Sequence, residues 1–174
     1  KGTLNITANY KHAISSDDDI KIENGNIKVI SAVSDGIHAN DSIKIKGGTL
    51  NITASKDCIQ TEKEELLVED GDLTLSAGSQ GLTSDTAVTI TGGTVKIIKA
   101  EEGVEAPLIT ITGGTVNITA TDDGLNATKG GGTMFGDDGS KIIISGGSIY
   151  LDSSIGDPLD SNGSALISGG TTVI

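Results

Sequence analysis

The chain has 174 residues, of which 25 are glycine, none is tryptophan and only 2% are aromatic. Its formal net charge is −12 and all 12 basic residues are lysine, which argues against a nucleic-acid partner because phosphate binding needs a positive surface, usually with arginine. The single cysteine, Cys58, excludes an internal disulfide. No apolar run is long enough to span a membrane.

A glycine-led segment recurs along the chain and sets its period. One copy runs from Gly48 to Ala54 with the sequence GTLNITA, and related copies start near residues 2, 25, 48, 71, 93, 114, 147 and 170. Most starts are about 23 residues apart, and the one long interval contains a Gly-rich insertion at 128–140. A fixed period of this kind predicts a solenoid, here a single domain over residues 1–174. Because the pattern begins and stops within a repeat, we expect the natural chain to extend beyond both ends.

Each repeat contains three short segments in which apolar residues alternate with polar ones. Alternation with period two predicts a strand with one buried face. Stacked repeats would pair every strand with its counterpart one repeat later, which makes three short parallel sheets around an aliphatic core. We therefore predict an all-β, right-handed, single-stranded parallel β-helix with about 23 residues per coil, taking the hand from the preference of parallel crossovers. One predicted core column is Val29, Ile52, Leu75, Ile97 and Ile118.

Polar residues are predicted to stack into columns around the second strand of each coil. The column before that strand is His12, Asp35, Asp57, Gln80, Glu102, Asp123 and Asp157. The column after it is Asp17, Asn40, Glu62, Asp85, Pro107, Thr128 and Asn162. The outward position between them is Ser15, His38, Gln60, Thr83, Glu105, Asn126 and Asp160. One long edge of the rod is therefore predicted to carry many oxygen ligands.

Stacked carboxylates repel one another, and Ca²⁺, which takes six to eight oxygen ligands, would compensate them. The candidate calcium ligands are Asp17, Asp18, Asp35, Asn40, Asp41, Asp57, Glu101, Glu102, Glu105, Asp122, Asp123 and Asn126. The densest predicted cluster is Glu101-Glu102 with Glu105, Asp122-Asp123 and Asn126. The alternative is a solvated acidic edge that opposes aggregation and binds no metal specifically.

An Asp-Gly-Ile/Leu-x-Ala unit followed by a strand and Gly-Gly-Thr stands at Asp35 to Ala39 with Gly47 to Thr49, and again at Asp123 to Ala127. This pattern resembles that of the bacterial carbohydrate-binding domain-containing proteins, a secreted or surface-attached family whose β-helix is similar to that of pectate lyases. The resemblance implies bound calcium, affinity for plant cell-wall polysaccharide such as polygalacturonate or cellulose, and a secreted or cell-surface location. Cys58 replaces the glycine of the unit and Gln80 replaces its acid.

We predict a non-catalytic, calcium-binding protein that recognises cell-wall polysaccharide, with Lys28, Lys96 and Tyr150 as sugar contacts on an outward strand face. The aromatic residues Tyr10, Phe135 and Tyr150 are few for a platform that binds crystalline cellulose.

Two alternatives stay open, a pectate-lyase-like enzyme and an adhesin or surface spacer. A lyase needs a base, and without arginine the nearest candidate is Lys56, whose neighbour Asp57 would keep it protonated. We assign no catalytic residue and expect His12 and His38 to be isolated surface histidines.

Overall fold

The computed structural model describes residues 2–130 and 136–174. Within this part of the chain there are 22 strands and no helix, so no helix there is long and apolar enough to cross a membrane. In chain order the strands are β1 (Thr3–Thr7), β2 (Ile14–Ser16), β3 (Ile20–Ile22), β4 (Asn26–Ala32), β5 (Ile37–Ala39), β6 (Ile43–Ile45), β7 (Thr49–Ala54), β8 (Ile59–Thr61), β9 (Leu66–Val68), β10 (Asp72–Ser76), β11 (Gln80–Ser84), β12 (Ala87–Ile90), β13 (Thr94–Lys99), β14 (Glu102–Ala106), β15 (Leu108–Ile111), β16 (Thr115–Ala120), β17 (Leu125–Ala127), β18 (Lys141–Ile144), β19 (Ser148–Ser153), β20 (Leu159–Ser161), β21 (Ser164–Ile167) and β22 (Thr171–Val173).

Every third strand belongs to the same sheet, which confirms the predicted solenoid. The first sheet has the order β1-β4-β7-β10-β13-β16-β19-β22, the second β2-β5-β8-β11-β14-β17-β20, and the third β3-β6-β9-β12-β15-β18-β21. All the pairings within these sheets are parallel, and Val29 of β4 pairs with Ile52 of β7, 23 residues later. The right-handed sense of the winding stays a prediction.

The core is the narrow aliphatic column that the alternation predicts. Val29, Ile52, Leu75, Ile97 and Ile118 occupy successive paired positions of the first sheet, and each is at most 2% exposed. Cys58 also faces inward with no exposure, and its Sγ lies 3.7 Å from the carbonyl oxygen of Ile52. Because burial raises the pKa of the Cys58 thiol to about 12, this side chain acts as a small core residue.

Glycines stand at two kinds of corner where a side chain has no room. Gly48 has a φ of +100°, and a Cβ there would lie 2.8 Å from the carbonyl oxygen of Gly25 in the preceding coil. Gly36 follows the acid of the Asp-Gly unit, and its Cβ would lie 2.3 Å from Ile52 Cγ2 and 2.7 Å from the Cys58 carbonyl oxygen. Glycine is needed at these corners because successive coils approach each other so closely.

The Gly-rich insertion at 128–140 lies between β17 and β18, as the long repeat interval predicts. Its residues 131–135, including Phe135, fall outside the described residues. On the described side, Lys129 donates its backbone N–H to Asp138 Oδ2 at 2.9 Å, and the Ser140 hydroxyl donates to the Ala127 carbonyl oxygen at 2.7 Å. The first bond joins the two ends of the insertion to each other, and the second fastens its C-terminal end to β17.

Candidate functional site

The acids of the column before the second sheet bind the backbone of the next coil. Asp35 Oδ1 accepts the backbone N–H of Asp57 at 3.3 Å, and Asp57 Oδ1 accepts that of Gln80 at 2.9 Å. Asp123 Oδ1 likewise accepts the N–H of Asp157 at 2.8 Å. These carboxylates therefore join neighbouring coils at a corner, where the regular strand hydrogen bonds have not yet begun. This structural role of the three acids was not predicted from the sequence.

The predicted acidic cluster is partly assembled in the structure. The Gln80 Nε2 amide donates to Glu102 Oε2 at 3.2 Å and to Glu105 Oε2 at 2.8 Å, while Asn126 Nδ2 donates to Glu102 Oε1 at 2.9 Å. Two carboxylates from one coil thus meet one amide from the coil before and one from the coil after. Glu101 and Asp122 are exposed, and they are joined through their backbones, with Asp122 N donating to Glu101 O at 2.8 Å.

Burial and mutual repulsion disfavour the negative charge along this edge. Burial, with hydrogen bonding to Glu102 and repulsion by it, raises the pKa of Glu105 to about 8. Burial also raises the pKa of Asp57 to about 6, against the opposing effect of the hydrogen bond from the Gln80 N–H. Burial also raises the pKa of Asp123. A cation at this edge would offset the cost of these charges.

Near the N-terminal end of the chain, acidic residues of the first two coils contact cationic and hydroxyl groups. Asp41 stacks on Asp18 through a backbone hydrogen bond of 3.3 Å, and Lys63 Nζ lies 3.0 Å from Asp41 Oδ1. Asp19 Oδ1 accepts hydrogen bonds from the backbone and the hydroxyl of Ser42, which lowers the pKa of Asp19. Asp17 is exposed and Asn40 is half-buried.

The expectation that His12 and His38 are isolated surface histidines is wrong. His38 is only 8% exposed, and its ring stacks on that of His12 with the centroids 4.3 Å apart. Asp35 Oδ2 lies 2.8 Å from His12 Nδ1 and 3.3 Å from His38 Nδ1. The column assignment already placed His12 next to Asp35 in the adjacent coil, and His38 follows Asp35 by three residues. Reading the columns together, instead of one at a time, would have predicted this contact.

The outward side of the first sheet carries a continuous polar column, as predicted. We call it the outer column, and its paired residues in successive coils are Asn5, Lys28, Asn51, Thr74, Lys96, Asn117 and Tyr150. Lys28 and Lys96 are exposed, and Tyr150 is 48% exposed. All three predicted sugar-contacting residues therefore lie on one face.

A shallow groove of about 180 Å³ crosses this face. Lys28, Asn51 and Thr74 of the outer column line it, and the exposed side chains of Ile30 and Ile98 lie on its sides. Both isoleucines lie within β-bulges. Val29 and Ala32 pair with Ile52 and Ala54, so the second coil has one more residue here than the third. Ile98 is likewise the extra residue between Ile97 and Lys99, which pair with Leu75 and Ser76. The groove does not follow from the repeat pattern, in which all coils are equivalent.

A second depression, of about 310 Å³, lies beside the Gly-rich insertion. Its lining includes Asp85, Glu105, Thr128 and Lys129. Glu105 therefore lies between the acidic cluster and this depression. The predicted ligand contact by the insertion stays a prediction.

Comparison with known families places the chain among carbohydrate-binding proteins. Residues 1–136 match the carbohydrate-binding domain-containing protein family, and the chain belongs to that family. Neither the curated proteins nor the solved structures contain a match to the chain. Family membership supports a carbohydrate-binding role with a polysaccharide as the partner.

Proposed function

We propose that the protein is a non-catalytic, calcium-binding module that recognises plant cell-wall polysaccharide through the outer column. Polygalacturonate is the proposed ligand, because the outer column combines hydrogen-bonding amides and hydroxyls with two lysines. Cellulose is the second candidate, supported by the exposed ring of Tyr150. Since cell-wall polysaccharide lies outside cells, we also propose that the protein is bacterial and is secreted or held at the cell surface.

The observation that carries this proposal is the shallow groove across the outer column. Sugars present both apolar C–H faces and hydroxyl groups, and binding sites for small ligands combine apolar walls with a few oriented polar groups. The groove has both, with Ile30 and Ile98 beside Asn51 and Thr74. Lys28 also lines the groove, and Lys96 pairs with Thr74, so each lysine can reach a uronate group of a bound chain.

The solenoid suits a polymer because its binding groups repeat along the rod. Adjacent strands lie about 4.8 Å apart, so Lys28 and Lys96, three coils apart in the same column, are separated by about 14 Å. A chain lying along the rod would meet the two charges at different sugar units. The protein carries a net charge of −12, which repels an acidic polymer except where lysines or bound cations reverse the local sign.

We propose calcium as the cation that compensates the acidic edge. The residues that would hold it are Glu102 and Glu105 with Asn126, whose carboxylate and amide oxygens are the hard donors that Ca²⁺ prefers. The raised pKa of Glu105, caused by burial and by the neighbouring Glu102, supports this fit, because a positive charge beside the carboxylate pair would favour its ionised form. Bound calcium would supply that positive charge and hold Glu102 and Glu105 ionised.

The two alternatives differ from this proposal in what they require. A lyase of the pectate type needs a base beside the bound uronate, whereas Lys56, the candidate from the sequence, is not among the residues that line the groove. A spacer requires only the rod and leaves the groove without a ligand. Pull-down on polygalacturonate with calcium and with chelator separates a binder from a spacer, and product analysis of the same mixture detects a lyase.

The binding face is tested by removing its two lysines. The double variant Lys28→Ala with Lys96→Ala should weaken polygalacturonate binding by about tenfold or more, equivalent to about 1.4 kcal/mol. The matched control is Lys21→Ala with Lys44→Ala, which removes the same charge from paired positions on the third sheet. Binding unchanged in the first variant, or lost equally in both, would reject the outer column as the binding face.

A further inference from the structure

We propose that His12, Asp35 and His38 bind a divalent transition-metal ion, with Zn²⁺ as the representative metal. The three side chains come from two coils, with His12 before β2, Asp35 before β5 and His38 within β5. One ligand atom from each lies within 4.8 Å of the other two. They form the one such group of three or more histidine, cysteine or acidic side chains in the described residues. This site shares Asp35 with the candidate calcium ligands expected from the sequence, but it is separate from the calcium site proposed at Glu102, Glu105 and Asn126 and does not depend on the proposed function.

The distances suit a small tetrahedral ion. Zinc with bonds of about 2.0 to 2.1 Å to nitrogen and oxygen holds its ligand atoms about 3.3 Å apart. Asp35 Oδ2 lies 2.8 Å from His12 Nδ1 and 3.3 Å from His38 Nδ1. Small rotations of the two imidazole rings would therefore bring all three atoms to bonding distance of one ion.

His12 Nδ1 is a buried nitrogen without a hydrogen-bond partner. It is close to Asp35 Oδ2, but the two atoms are not aligned for a hydrogen bond. A buried polar atom left without a partner costs free energy, and a bond to a metal ion would satisfy its lone pair. Asp35 is 2% exposed, so a metal would also neutralise its buried charge.

The surrounding groups hold the ligands in the manner of known metal sites. Metal-binding histidines commonly donate their other ring N–H to a carboxylate, and His38 Nε2 lies 3.5 Å from Glu62 Oε1. The second oxygen of Asp35 accepts the N–H of Asp57, which fixes the carboxylate and leaves Oδ2 for the ion. The Asp57 bond therefore leaves Asp35 Oδ2 beside His12 Nδ1. His38 Nδ1 also lies 3.1 Å from Gln60 Oε1, a contact that the metal ion would replace.

The ligand set selects the class of metal. Imidazole nitrogens favour zinc, copper, nickel and iron, whereas Ca²⁺ and Mg²⁺ take oxygen ligands. The His12 side chain is 23% exposed, so an ion can reach the site from solvent. With three protein ligands a fourth position is left for water or a ligand oxygen. The bound ion would fasten the first coil, which supplies His12, to the second.

The test is a titration of the untagged protein with Co²⁺, which gives visible absorption bands when bound tetrahedrally, followed by displacement with Zn²⁺. Wild type should bind one equivalent, and millimolar Ca²⁺ should not displace it. The variant His12→Ala should lose the bands, while Lys11→Ala, a change at the exposed neighbouring residue, should keep them. Absence of the bands in wild type, or their persistence in His12→Ala, would overturn the proposal.

A second variant distinguishes a specific loss of metal binding from a loss caused by misfolding. Glu62 is exposed, so Glu62→Gln should fold as wild type does by circular dichroism. Removal of an outer-shell carboxylate should weaken Zn²⁺ binding by about 10 to 100-fold. Unchanged affinity in Glu62→Gln would contradict the assigned role of His38 Nδ1 as the ligand atom.

Discussion

The Asp57 carboxylate accepts the backbone N–H of Gln80 at 2.9 Å, across the boundary between two coils. This bond explains why an acid stands at this corner, even in the coil where Cys58 replaces the glycine of the Asp-Gly unit. The glycine lets adjacent coils approach, and the acid side chain takes the place of a strand carbonyl at the corner. The same relationship joins Asp35 to Asp57 and Asp123 to Asp157.

The hydrogen bond and the charge of Asp57 should have opposite effects on stability. Asp57→Ala leaves the Gln80 N–H without its partner and should lower the free energy of unfolding by about 1 to 3 kcal/mol. Asp57→Asn keeps the acceptor oxygen and removes a charge that burial disfavours, so at pH 8 in chelator it should be at least as stable as wild type. Urea unfolding of the three proteins measures this. Equal destabilisation by both substitutions would show that the charge, and not the acceptor, is what the corner needs.

The metal-free protein should lose stability as pH rises through the acid range to pH 8. The pKa of Glu105 is raised from 4.5 to about 8 on folding, so between these values the native state holds a proton that the unfolded state has released. Stability therefore falls with rising pH in this window. Thermal melting in chelator at pH 5, 6, 7 and 8 checks the slope. Glu105→Gln should flatten the curve, and a slope as steep as that of wild type would remove Glu105 as its source.

Calcium should reverse this loss at pH 8. A ligand at a hundredfold excess over its Kd stabilises the native state by about 2.7 kcal/mol, and the proposed site needs the ionised forms of Glu102 and Glu105. Wild type should therefore show a rise in Tm in millimolar calcium relative to chelator, and Glu105→Gln a smaller rise. Glu65→Gln, which changes an exposed acid outside the columns, is the control and should match wild type. If calcium does not raise the Tm of wild type, the acidic edge is a solvated face that binds no calcium.

The core column should not tolerate a charge. Ile52 is 2% exposed and lies inside the stack, so Ile52→Asp would place an ionised carboxylate among aliphatic side chains without a partner. We expect the coils around it to unfold. Thr53→Asp, at the next and outward-facing residue, makes the same chemical change at the surface and should leave a cooperative melt. A cooperative melt for Ile52→Asp with an unchanged Tm would contradict the core assignment.

Much of the fold can be predicted from the sequence because each coil has the same alternation of apolar and polar residues. Strand alternation and a spacing of about 23 residues assign Lys28, Asn51 and Thr74 to one outward column, and the register agrees. Parallel stacking makes equivalent residues neighbours, so an error in one coil would have appeared as a break in the column.

The candidate sites follow less directly because they depend on where the coils differ. The groove needs the extra residue between Val29 and Ala32, which the repeat average conceals, although counting residues in each coil would have shown it. The contact of His12 with Asp35 and His38 joins two columns that the pattern analysis treated separately. The hydrogen bonds of Gln80 to Glu102 and Glu105 depend on side-chain conformations that no spacing predicts.

The central claim, that the chain binds an acidic cell-wall polysaccharide without cleaving it, is tested most directly by calorimetric titration with oligogalacturonate in millimolar calcium. The account predicts saturable binding that weakens as salt is raised, because lysine contacts to uronates are screened, and that leaves the oligomer at its original length. Absence of binding heat with the oligogalacturonate would contradict this claim. Recovery of shortened, unsaturated products from the calorimeter's sample cell would also contradict it.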